Sequence, residues 1–233
     1  MKKVREPISA LNRIKLVENN EELVDLRVFV QEVVIVKEQC IPWVRKTVAL
    51  MLREANRLMP NGNRIGVREA WRSRTRQKLI YDRYFETLKK EKTDASYATL
   101  RRLTNRFFAP YDQPTPPGHS TGGAIDVALL NSENEVIPLD GEDERFKSSA
   151  TFYKKLKDEV IQGRMMVYKA MIKAGFSNCH DEWWHYSYGD AAWAVRTGKK
   201  ECMYGEVFPP EEEYLEKDKT FEKEFIQKSS DPK

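Results

Sequence analysis

The chain has 233 residues, with 40 Lys/Arg against 36 Asp/Glu for a net charge of +4, and it is 40% hydrophobic and 33% charged. That composition supports one substantial core and excludes a disordered or fibrous chain. Its longest apolar stretches, such as Val33-Val34-Ile35-Val36, are broken by charges within a few residues, so none approaches the ~20 residues of a membrane-spanning helix.

Lys2, Lys3 and Arg5 open the chain as a signal peptide would, but Glu6, Asn12, Arg13, Lys15 and Glu18 replace the apolar segment that must follow, and a cytoplasmic protein is expected. Residues 1–20 read as an arm, 21–208 as one domain and 209–233 as a charged tail. From Pro42 to Met59 the apolar residues Val44, Val48, Leu52 and Ala55 recur at helical spacing, and Pro60-Asn61-Gly62 closes the segment. Arg64 to Trp71 alternates as a strand. Helices are expected over about 76–90 and 94–107, the second capped by Asp94.

Ala109 to Gly123 holds four prolines and three glycines and is read as a functional loop. Strands follow at 123–130 and 135–138, forming a hairpin over Asn131 to Asn134. A helix over about 152–174 stops at Gly175, and the aromatic run Trp183 to Tyr188 favours a strand. The tail from Glu211 has 13 charged residues in 23 and is expected to be an arm or a frayed helix. The fold class is α+β: a single domain whose small antiparallel sheet is flanked by helices. Cys40, Cys179 and Cys202 have no metal-binding or redox spacing and read as buried thiols.

Residues 61–110 carry 13 Lys/Arg against 5 Asp/Glu, a local excess of +8. A nucleic-acid-binding protein is one reading of such a window, but no RNA- or DNA-binding motif accompanies it. Solvated helix faces explain it, and neither nucleic acid nor membrane is expected as a partner.

Of three histidines, two stand beside carboxylates. His119 lies in the Pro-Gly loop with Asp126 seven residues on, and Gly122-Gly123 between them lets the backbone fold close. Glu182 precedes His185 by three residues; on a strand that odd spacing points them to opposite faces, so Glu182 has to sit where the strand begins, or at a bulge, for both to reach one site. His119, Asp126 and His185 make the three-ligand set of a catalytic zinc, with Glu182 left as a base for its water. The same two histidines and one carboxylate suit a non-haem iron oxygenase, with Arg196 available for an oxo-acid, although that reading leaves Glu182 without work. His180 has no telling partner and is read as structural.

The run His119-Ser120-Thr121-Gly122-Gly123-Ala124-Ile125-Asp126 resembles the HxxGxAxD motif of the D-alanyl-D-alanine peptidases, zinc enzymes that include the vancomycin-resistance D,D-dipeptidases. Glu182 to His185 resembles their second motif, and Trp71-Arg72-Ser73 with Gln77 is similar to a third, Arg72 standing 47 residues before His119. The resemblance runs from about residue 20 to about residue 200. It implies one zinc per chain on His119, Asp126 and His185, Glu182 as general base, Arg72 on the scissile carbonyl, and hydrolysis of D-Ala-D-Ala or a closely related dipeptide. Carboxypeptidase action on peptidoglycan-type peptides is the alternative. Two positions depart from the pattern: Pro117 replaces a common serine, and the acidic element thought to hold the substrate's ammonium lacks its Phe-Asp pair. Asp140, Glu142, Asp143 and Glu144 are the candidates to replace it.

Overall fold

The computed structural model describes residues 6–141, 146 and 148–230. In chain order its elements are α1 (Ile8–Leu11), β1 (Lys15–Leu16), β2 (Leu23–Asp25), α2 (Leu26–Phe29), β3 (Val34–Ile35), β4 (Trp43–Arg45), α3 (Lys46–Arg57), β5 (Arg64–Glu69), α4 (Arg74–Glu91) and α5 (Tyr97–Thr104). A 3-10 turn, Gly118–Thr121, leads into β6 (Ala124–Leu130) and β7 (Val136–Ile137). Then come α6 (Asp158–Lys173), β8 (Ser177–Asn178), β9 (His185–Ser187), α7 (Ala191–Thr197), β10 (Glu201–Cys202) and α8 (Glu211–Ser230).

The main sheet has the order β3-β5-β6-β9-β8, with β7 paired to β6. β6 is its centre, buried along almost its whole length because strands flank it and helices cover it. The expected hairpin forms, with Leu129 opposite Ile137 and Leu130 opposite Val136. The sheet is not wholly antiparallel: β3 runs parallel to β5 at one edge, and β1 pairs parallel with β10 apart from it. The buried face of α3 (Val48, Ala49, Leu52, Ala55) and Val167 and Met171 of α6 join Ile65, Val67, Ile125, Val127 and Leu129 of the sheet in one core.

Several boundaries differ from expectation. The segment expected as helix from Pro42 begins instead as β4, whose Trp43, Val44 and Arg45 pair with Asp25, Val24 and Leu23, so α3 starts only at Lys46. α5 is capped by Ser96, whose hydroxyl accepts from Thr99 N, and not by Asp94. Residues 152–157 form turns, and α6 starts at Asp158. Among the described residues no helix is long and apolar enough to cross a membrane. Cys40 and Cys202 are buried and Cys179 half-buried, all as free thiols. Burial pushes the first two up to about 12 and about 11.

The tail, expected as an arm or a frayed helix, is a 20-residue helix docked on α4. Tyr214 packs on Trp71 at 4.8 Å between ring centroids, and Asp218 takes the Arg76 guanidinium at 2.9 Å while Phe221 lies under it. Arg76 is 1% exposed. Removing the carboxylate by Asp218→Ala leaves the buried guanidinium with only the more distant Glu69, at 3.7 Å, and should destabilise the protein by about 3 kcal/mol. Thermal unfolding measures this, and an unchanged midpoint would show that α8 is not held through Asp218.

Candidate metal centre

β6 and β9 bring two of the expected ligands together by register. Asp126 stands directly opposite His185 in their antiparallel ladder, which points both side chains to one face. The His185 Nδ1 lies 2.9 Å from Asp126 Oδ1. His119 arrives from the 3-10 turn just before β6, with its Nε2 3.4 Å from the same oxygen. Gly122 makes this return possible: it ends the turn in the left-handed region (φ 68°), and a Cβ there would meet Leu23 Cδ2 at 2.6 Å. The turn is braced by Arg45, whose Nε donates to Thr121 O at 2.9 Å.

His119 is 3% exposed, and its Nδ1 lies 2.7 Å from Ala70 O. A carbonyl only accepts, so His119 Nδ1–H donates to Ala70 O, and the bond orients the ring with Nε2 toward Asp126. Burial alone would raise the Asp126 carboxyl, but the flanking imidazoles hold it well below the usual carboxylate range. Burial lowers His185, against the pull of Asp126. Asp126 is thereby held as the carboxylate that a divalent ion needs.

The three donor atoms lie within 4.8 Å of one another, and among the described residues no other such cluster is found. Bonds of ~2.0–2.2 Å around a tetrahedral zinc put neighbouring donors ~3.3–3.6 Å apart, a range that contains the 3.4 Å separation of His119 and Asp126 and lies roughly half an ångström above the 2.9 Å of His185 and Asp126. The donor set therefore fits zinc, with one coordination position left over.

Arg72 and Glu182 line the same cavity as the three donor residues. Glu182 lies in the turn immediately before β9, where its carbonyl accepts from His185 N and from Asn178 Nδ2. Asn178 also donates to His185 O at 3.0 Å and so fixes both ends of the turn. Arg72 follows β5; its backbone N donates to His119 O at 3.4 Å, and its Nε is buried without a hydrogen-bond partner. A donor buried in that state is available to a ligand. Sequence reasoning missed Arg45 and Asn178, which act through the backbone and carry no motif.

Other expected residues fall elsewhere. His180 is outside the cluster, its ring near Phe152 and its Nδ1 3.6 Å from Asp181. Arg196 clasps Glu6 at 2.7 and 2.9 Å and is not free for an oxo-acid. Asp140 accepts from Trp183 Nε1 at 3.2 Å, approaches Arg68 at 3.7 Å and does not line the cavity. Glu142, Asp143 and Glu144 lie outside the described residues.

The family described as D-ala-D-ala dipeptidase matches residues 34–203, most of the chain, a range that contains all five candidate residues. The chain belongs to this family. A D-alanyl-D-alanine dipeptidase of Synechocystis sp. is 32% identical over 98 residues, covering 36% of this chain and 40% of that relative. The chain thus spans well under half the length of the curated relative it matches. Two solved structures are similar at 16% identity and a TM-score of 0.44: VanYB in complex with D-alanine-D-alanine, covering 82% of this chain and 94% of that one, and a mutant of the vancomycin resistance D,D-pentapeptidase VanY in complex with Zn(II), covering 88% and 98%. Within the dipeptidase family match lie β3 to β10; α1 and α8 fall outside it.

Proposed function

We propose that this family member is a zinc D,D-peptidase that releases D-alanine from a D-alanyl-D-alanine end, with D-Ala-D-Ala itself among its substrates. His119, Asp126 and His185 hold one zinc. The observation that carries the reading is the convergence of these three donors in a cavity also lined by a carboxylate, Glu182, and a buried, unpartnered guanidinium donor, Arg72. Bound zinc would polarise the scissile carbonyl and lower the pKa of its water toward ~7. Glu182 takes the proton from that water on its carboxylate and passes it to the leaving amine. Arg72 faces the negative charge that develops on the carbonyl oxygen.

Two measurements on the purified protein test this: metal content, and release of D-alanine from D-Ala-D-Ala. About one zinc per chain with D-alanine release is expected, and a zinc-loaded protein that releases none would refute the activity. Arg72→Ala should lower kcat/KM by about 10²-fold, the loss of a donor worth ~3 kcal/mol to the transition state, while zinc content is unchanged. Kinetics run beside metal analysis checks it; unaltered kcat/KM would remove Arg72 from the reaction.

A further inference from the structure

Glu182 sits on a turn and not on a strand or helix, so the place of its carboxylate depends on what holds that turn. Asn178 is one brace, through the carbonyls of Glu182 and His185. The segment Ser148 to Thr151, which has no helix or strand of its own, is a second. Ser149 O accepts from Trp183 N at 2.9 Å, Ser149 Oγ donates to Asp181 O at 2.8 Å, and Thr151 N donates to His180 O at 3.0 Å. Both chain neighbours of Glu182, Asp181 and Trp183, are thus bonded to Ser149.

Arg164 of α6 fixes that segment in turn. Its Nη1 donates to Ser148 O at 2.7 Å and to Ala150 O at 3.1 Å, the two carbonyls that flank Ser149. Its Nε and Nη2 donate to Leu139 O at 2.8 and 2.6 Å. The same guanidinium lies 5.5 Å from the centre of the Trp183 ring, whose Nε1 donates to Asp140. Arg164 is 1% exposed and does not line the metal cavity, so it acts on the site only through what it holds. Burial pushes its pKa down to about 10, against the pull of Asp140. Burying a cation is costly, and a planar fork of donors can hold carbonyls in two directions at once where a single ammonium cannot.

We propose that Arg164 is a positioning residue for the proton transfer: through Ser149 it fixes the turn that sets the Glu182 carboxylate toward the metal centre. The inference rests on the D,D-peptidase reading with Glu182 as base. Arg164→Lys keeps the charge and loses the fork, and Ser149→Ala removes only the hydroxyl that reaches Asp181 O. In the zinc-loaded enzyme each should lower kcat for D-Ala-D-Ala by about 10-fold, since an ångström of misplacement costs up to ~10²-fold, with KM and zinc content unchanged. The same substitutions are then made in the Glu182→Gln protein. Once the base is gone its placement no longer matters, and each added substitution should change kcat by less than ~2-fold. An equal fall in both backgrounds would mean a general loosening of the fold and would overturn the inference, as would unchanged kcat in folded Arg164→Lys; both leave the D,D-peptidase reading standing. Thermal unfolding shows whether each variant is folded at the assay temperature. Should Arg164→Lys not fold, Ser149→Ala, which disturbs no buried charge, decides by the same two outcomes. Ordinary kcat in Glu182→Gln alone would remove the base and this inference together, and no D-alanine release by the unaltered zinc-loaded protein would remove the D,D-peptidase reading with them.

Discussion

His119→Ala should yield a folded protein that has lost its zinc and all measurable release of D-alanine. His119 is the one ligand that does not come from the β6–β9 ladder, so its removal leaves Asp126 and His185 in place but with only two donors. Altering a group that merely supports a ligand costs ~10- to 100-fold in metal affinity, and deleting a ligand should cost more. The turn itself should survive, because Ser120 Oγ donates to Pro117 O, Thr121 Oγ1 to Gly118 O and Arg45 Nε to Thr121 O, none of them through the imidazole. Metal analysis together with circular dichroism of the variant separates loss of metal from loss of fold. Full zinc retention would exclude His119 as a ligand. Iron in the unaltered protein with oxo-acid-dependent oxygen uptake would instead move the same three residues into oxygenase chemistry.

The convergence of His119, Asp126 and His185 was more legible in the sequence than the fold around it. β5, β6 and the hairpin to β7 follow from alternation and turn residues, and once β6 and β9 pair, a register with Asp126 opposite His185 brings the two motifs together. The odd spacing of Glu182 and His185 required a break at the start of β9, and the turn over 181–184 is that break. Strands of two residues, such as β1, β3, β8 and β10, have no period to detect. They exist because a distant partner offers its edge, as Cys202 does to Leu16.

The docking of α8 is hidden in the sequence for a different reason. Its charges hide a sparse stripe of Tyr214, Asp218, Phe221 and Phe225 at helical intervals, and their partners Trp71, Arg76 and Arg83 lie well over a hundred residues earlier in the chain. The contacts of the first residues are hidden likewise. Glu6 meets the buried Arg196, an ion pair between residues 190 apart that no local pattern announces.

Glu182→Gln should keep the zinc and lower kcat by about 10³-fold. The amide has the shape of the carboxylate but cannot accept the proton that must leave the water, and general acid–base groups supply ~10²- to 10⁴-fold in rate. The turn is held by backbone groups, Glu182 N donating to Cys179 O and Asn178 Nδ2 to Glu182 O, so the substitution leaves its geometry intact. KM should therefore change little, which distinguishes a lost base from a lost contact with the bound substrate. The contrast with His119→Ala is diagnostic: one variant retains metal without turnover, and the other loses both. A zinc-loaded Glu182→Gln protein with ordinary kcat would show that another group takes the proton, and the assignment of Glu182 as base would then be wrong.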